Sequence, residues 1–350
     1  MSNHKHDFLC KLPKCEHHVH LEGTLSPELL FQLAERNSIT LPDHFPPTPA
    51  ACNERYDNFS DLQDFLDHYY IGMSVLINEE DFKDLAYSYF KKAHADGLKH
   101  VEAFFDPQGH VERGIDIDIV IQGLKKACDL AENDFGISTK LIMCLLRHLP
   151  SDDGLKTIES AKPYYENGWI HGLGLDSSEK PFPPHLFEDC YKLVKENHPE
   201  VGLTAHAGEE GGPDYIINAL EKLNVTRIDH GVQSIKDPVL IKRLAENQIM
   251  LSLCPVSNVK LQVVKDVKEL PIREWLDAGV PFSINSDDPA YFGGYLLDNY
   301  LIVEDRFKLS GEEWVTIAKN GVNGSWISDE RKKELHDEID ALFEEYKDRI

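Results

Sequence analysis

Short runs of β-branched and apolar residues recur along the chain, separated by stretches whose apolar positions return every three or four residues. That alternation of strand and helix builds a parallel sheet. Eight runs are legible: Cys15 to Glu22, His100 to Asp106, Ser138 to Arg147, Trp169 to Asp176, Val201 to His206, Thr226 to His230, Ile249 to Pro255 and Val280 to Asp287. With no internal repeat or low-complexity linker between them, they predict an α/β chain folded as one domain over residues 1–350. The expected architecture is a closed (β/α)8 TIM barrel rather than an open doubly wound sheet.

The intervening stretches carry helix signals. Ser26-Pro27-Glu28 places a cap, a first-turn proline and an acid ahead of Leu29, Leu30 and Leu33. Gly97 closes a helix that starts after Asn78. Residues 23 to 99 form a first connection far longer than the about 2 to 6 residues usual in such units, so it must hold structure of its own. Within it Phe59, Leu62, Phe65, Leu66 and Tyr69 fall at helical spacing, which fits either plain helix packing or a lid over the barrel rim. Leu335, Ile339, Leu342 and Tyr346 form an apolar stripe on a terminal helix that should dock on the barrel.

Charge narrows the partners. The 36 basic against 61 acidic residues leave a net charge of -25, which repels phosphate backbones and anionic lipid surfaces, so nucleic acid and membrane are unexpected partners. No run approaches the roughly 18 apolar residues of a membrane span, and the start, Met1-Ser-Asn-His-Lys-His-Asp, has no signal-type apolar segment. The expected location is the cytoplasm, with nuclear entry open. The 7 cysteines are scattered without Cys-x-x-Cys spacing and read as reduced structural thiols.

The chemistry gathers at predicted strand ends. His18 and His20 are two apart on the first strand and share a face, with His17 on the other. Alone, such a pair is as easily two hydrogen-bonded polar residues as two metal ligands. The fifth strand ends in His206-Ala-Gly-Glu209-Glu210-Gly-Gly, the sixth in Asp229-His230-Gly231 and the eighth in Asp287-Asp288-Pro289. In a barrel all strands point the same way, so His18, His20, His206, Glu209, His230, Asp287 and Asp288 converge on one rim. Three neutral imidazoles and one carboxylate suit Zn²⁺ with a position left for water, which is a catalytic arrangement. The fourth strand ends Leu173-Gly-Leu-Asp176-Ser-Ser-Glu179 with no lysine at its tip to bridge a second ion, so one zinc per chain is expected.

Taken together, His18-Val-His20-Leu-Glu22-Gly, His206-Ala-Gly-Glu209, Asp229-His230-Gly231 and Ser286-Asp287-Asp288-Pro289 resemble the adenosine and adenine deaminase family of the amidohydrolase superfamily. The resemblance runs in order over nearly the whole chain, including Leu145-Leu-Arg-His148 and Cys254-Pro-Val-Ser-Asn258. It implies zinc ligands His18, His20, His206 and Asp287, proton donation by Glu209, activation of water by His230, and a hydrogen bond from Asp288 to a purine. Two departures separate the substrates within the family. Glu22 stands where members acting on adenosine carry Asp, and Ser177-Ser178-Glu179 replaces their Ala-Gly stretch. Both features resemble members acting on the free base. The expected reaction is hydrolysis of adenine to hypoxanthine and ammonia in purine salvage. Adenosine deamination is the alternative, and an inactive zinc-binding regulator a remote one. Glu22 is read as either a substrate gate or a structural polar residue. Glu179 is read as either a surface helix cap or a contact to the N9 side of the base.

Overall fold

A computed structural model describes residues 3–350; Met1 and Ser2, at the start of the segment read for a leader, lie outside the described residues. Eight strands run parallel in sequential order: β1 (Lys14–Glu16), β2 (Leu98–Phe105), β3 (Ser138–Leu146), β4 (Ile170–Asp176), β5 (Gly202–Ala207), β6 (Arg227–His230), β7 (Met250–Leu253) and β8 (Phe282–Ile284). The sheet closes between its first and last members, where Asp287 N–H donates to His18 O and His20 N–H to Asp287 O, each at 2.9 Å. The predicted TIM barrel is the observed one.

Three strands are shorter than the apolar runs that announced them. β1 ends at Glu16 because the next amide, His17 N–H, donates to the Asn285 side chain instead of to a neighbouring strand. Residues 17 to 20 then continue the backbone ladder as isolated bridges, Val19 to Asp287 and His20 to Phe104. β7 stops before Pro255, which opens a helix over Pro255–Lys260. β8 stops at Ile284, and Asp287 takes a left-handed backbone at φ 64°.

The first connection contains four helices. Numbered after the N-terminal α1 (Asn3–Lys11), they are α2 (Pro27–Arg36), α3 (Pro49–Tyr56), α4 (Leu62–Met73) and α5 (Glu79–Ala95). Asn78 and Asp81 cap α5 reciprocally, and Gly97 follows it at φ 89°. The C-terminal helix Asp329–Tyr346 buries Leu335, Ile339 and Tyr346, as its stripe predicts. Among the described residues no helix is long and apolar enough to cross a membrane.

Most of the core lies between the sheet and the surrounding helices, while the barrel's interior holds a separate small cluster of Phe104, Ile142 and Cys144 against Trp326. The Trp326 ring plugs the N-terminal end of the barrel. Glycine is required opposite it at Gly172 and Gly202, where a Cβ would come within 2.7 and 2.4 Å of the indole.

A candidate metal centre and active site

At the opposite, C-terminal end of the strands, His18, His20, His206 and Asp287 bring one ligand atom each to within 4.8 Å of one another. Nε2 of His20 lies 3.2 Å from Nε2 of His206, and Asp287 Oδ1 lies 3.3 and 3.4 Å from Nε2 of His18 and His20. Nε2 of His18 is buried without a hydrogen-bond partner. Ring nitrogens that face each other and a carboxylate at this range suit a cation between them. A second grouping, His18, His230, Cys254 and Asp287, overlaps the first.

The far side of each ring is held by oxygen. Ser252 Oγ lies 2.9 Å from His18 Nδ1 and itself donates to Asp229 Oδ1, while Asp229 Oδ2 lies 3.6 Å from His206 Nδ1. Asp176 Oδ2 lies 3.4 Å from His20 Nδ1. Such partners set the tautomer that turns Nε2 inward. Burial and the other three imidazoles hold His206 well below the ordinary histidine value, so it stays neutral. Burial opposes the charge on Asp287, but His18, His230 and His20 outweigh it and keep that carboxylate ionised. His17 points away and is occupied at both nitrogens, by Ser283 Oγ at 3.1 Å and Ser325 Oγ at 2.7 Å, which fits its reading as structural.

Glu209 and His230 stand beside the cluster, with Oε2 and Nε2 3.4 Å apart. Burial, then Asp287 and Glu179, push the Glu209 carboxyl well above its ordinary range. Burial and His18 push His230 down to about 3. Burial and Asp287 likewise hold Asp288 well up. The Asp288 carboxyl rests on Gly23, where a Cβ would fall 2.0 Å from its Oδ1, so the glycine of the first motif makes room for the last. His230, Asp287 and Ser177 all adopt positive φ (67°, 64° and 70°) on the cavity lining, a concentration of strain typical of functional sites.

Two residues assigned to the substrate from sequence lie behind the cavity wall instead. Glu179 is neither a surface cap nor a lining residue: it is 0% exposed, and its oxygens accept from the backbone N–H groups of Glu209 at 3.0 Å and Gly211 at 2.5 Å. A surface cap would have been solvated; here the loop after β5 folds back over the carboxylate and consumes both oxygens. Glu22 is buried too, its Oε1 accepting from Asp106 N–H at 3.0 Å and pairing with His110 Nε2 at 2.8 Å. Its Oε2 is buried without a hydrogen-bond partner.

The sequence reading passed over Asp106 as a site residue and used Asp176 only as a strand-end marker, yet both line the cavity with an unpartnered, buried Oδ1. Burial, Asp176 and Glu22 hold Asp106 well above the ordinary carboxylate value, and burial raises Asp176. Strand-end position was the available signal for Asp106, but an Asp before Pro reads first as a turn. The roof comes from α4, whose Leu62, Phe65, Leu66, Tyr69 and Tyr70 line the cavity, so the helical stripe in the first connection serves as the cover.

Residues 13–342 match the family described as adenosine deaminase. The chain belongs to that family. Among its relatives is the adenine deaminase of Candida albicans, 63% identical over 345 residues that cover 99% of this chain and 97% of that protein. The adenine deaminase of Saccharomyces cerevisiae is 56% identical over 341 residues, covering 97% and 98%. A crystal structure of adenine deaminase from Arthrobacter aurescens superposes with a TM-score of 0.90 at 41% identity, covering 95% of this chain and 99% of that one.

Proposed function

We propose that this member of the adenosine deaminase family hydrolyses adenine to hypoxanthine and ammonia, with one zinc ion held by His18, His20, His206 and Asp287. The observation that carries the reading is the buried meeting of three imidazoles and a carboxylate, with Glu209 and His230 3.4 Å apart beside it. The names of the close relatives support the same substrate. The donor set fits zinc, since neutral imidazoles and one carboxylate with outer oxygen partners are its usual company. When bound, zinc supplies hydroxide at neutral pH by lowering the pKa of water from about 15.7 towards 7.

The chain's own groups then move the protons. Attack at C6 drives charge into the ring, and Glu209 offers its proton to N1. His230, kept neutral by burial and His18, accepts a proton at Nε2. Asn258 Oδ1 is buried without a partner, its amide 3.2 Å from His230 Nδ1; turning that amide would fix Nδ1–H and leave Nε2 free. Asp288, kept protonated by burial and Asp287, donates to N7. On collapse the amino group takes the proton held by His230 and leaves as ammonia, while the C6 hydroxyl returns a proton to Glu209 and becomes the carbonyl of hypoxanthine.

The test is a steady-state comparison of adenine with adenosine on enzyme whose metal content is measured. Adenine should have the larger kcat/KM, in proportion to bound zinc. A larger value for adenosine, or turnover independent of metal, would overturn the reading.

A further inference from the structure

With C6 at the ligand cluster, N1 at Glu209 and N7 at Asp288, the polar edge left on the base is N3 and N9–H. The wall left to face it is largely apolar, formed by the α4 side chains, Leu146 and Leu261. One carboxyl there stands outside the His18, His20, His206 and Asp287 set, although it interacts with Asp176, the two bringing one oxygen each within 4.8 Å of a His20 ring nitrogen. Asp106 lines the cavity, is 3% exposed, and its Oδ1 has no hydrogen-bond partner. It occupies the N-cap position of the helix Pro107–Val111, yet its side chain makes no cap hydrogen bond. An Asp at an N-cap ordinarily bonds the amides of the first turn; this one faces the cavity instead.

The carboxyl is also held in place. Glu22 takes the Asp106 N–H and is itself paired with His110, whose Nδ1 lies 2.8 Å from Arg113. Asp176, beside it, also lines the cavity with an unpartnered Oδ1, but its Oδ2 is turned to His20 Nδ1 at 3.4 Å, which ties it to that ring. The Tyr69 hydroxyl, also buried without a partner, sits on α4 and is a weaker acceptor than a carboxyl.

We propose that Asp106 is the residue that selects the free base: its carboxyl accepts the N9–H of adenine, and Glu22 acts through it by fixing its backbone. The inference rests on the adenine reading above and assigns the determinant of that specificity to a residue outside the ligand and proton-donor sets. A purine alkylated at N9 has no proton to offer and sets a carbon against a buried acceptor, which disfavours it twice.

The test compares adenine with 9-methyladenine on wild-type enzyme, Asp106→Ala and Asp106→Asn, with zinc content and circular dichroism on each. In Asp106→Ala, kcat/KM for adenine should fall about 10- to 100-fold while that for 9-methyladenine holds or rises, collapsing the preference. Asp106→Asn keeps the shape and a carbonyl acceptor and should lose less. An equal fall on both substrates, loss of zinc in both variants, or an unchanged adenine value would overturn the assignment. Failure of the substrate reading itself looks different, because wild-type enzyme would then prefer adenosine.

Discussion

The two ends of this barrel are built from the same residue types and used in opposite ways. At the N-terminal end, Glu102 pairs with Arg227 and His100 and accepts from the Trp326 amide, and the Arg227 guanidinium lies 4.3 Å over the Trp326 ring. Burial works against the Glu102 charge, but Arg227 and His100 hold it well below its ordinary range. At the C-terminal end, His18 Nε2, Glu209 Oε1 and Asp106 Oδ1 are equally buried and left unpartnered. Charges paired with each other inside a fold serve structure. Arg227 Nε and Nη2 also lack a hydrogen-bond partner, but that guanidinium is covered by the Trp326 ring, whereas Glu209 and Asp106 at the other end line a cavity, where buried unpartnered groups mark a candidate site.

The sharpest way to break this contrast is to remove a ligand. His206→Ala should lose bound metal and at least about 10³-fold in kcat/KM, measured by metal analysis beside the adenine assay; full zinc in the variant would remove His206 from the ligand set. Glu209→Gln should keep the metal and lower kcat about 10²- to 10⁴-fold, because it deletes the proton and leaves the ligands untouched. Near-normal turnover would end the proton-donor assignment.

Structural damage should instead dominate at the other end. Arg227→Met takes the guanidinium from buried Glu102, leaving it His100 and the Trp326 amide, and should cost about 3–5 kcal/mol in denaturant unfolding, with metal retained and kcat changed less than about tenfold. A stable variant with abolished turnover would show that this end takes part in the chemistry. Glu179→Gln tests the border between the two regions. Weakened bonds to the Glu209 and Gly211 amides should lower kcat by about tenfold while zinc content stays normal.

The smallest effect concerns Lys14 on β1, whose Nζ donates to Leu9 O at 2.6 Å and Leu12 O at 2.9 Å. Burial pushes it down to about 7 from 10.5. Between those values the unfolded chain binds a proton that the folded chain does not, so stability should rise with pH across the window and be lost as pH falls towards 7. Melting at pH 7.5 and 9.5 reads the slope, which Lys14→Met should flatten; an unchanged slope would assign it to other groups.

How much of this was legible beforehand differs by residue. His18, His20, His206 and Asp287 were placed together from sequence because a parallel barrel sends every strand end to one rim, so motif order alone implies proximity. Strand lengths were less legible at β1, β7 and β8, where apolar runs continue past the last ladder bond into bridges, a proline-led helix and a left-handed turn. Glu179 was misplaced because one sequence serves a solvated cap or a buried clamp equally well, and only the fold of the loop after β5 chooses between them.

The sequence by itself determined the barrel and the gathering of His18, His20, His206, Glu209 and Asp287 on one rim, because these follow from periodicity and from the residues at strand ends. Only the tertiary structure decided which carboxyls line the cavity. Glu22, Asp106, Asp176 and Glu179 are all buried acids near the rim, alike in type and in local pattern. Their surroundings differ: two backbone amides for Glu179, one amide and the His110 ring for Glu22, the His20 ring and the cavity for Asp176, and the cavity with Asp176 beside it for Asp106.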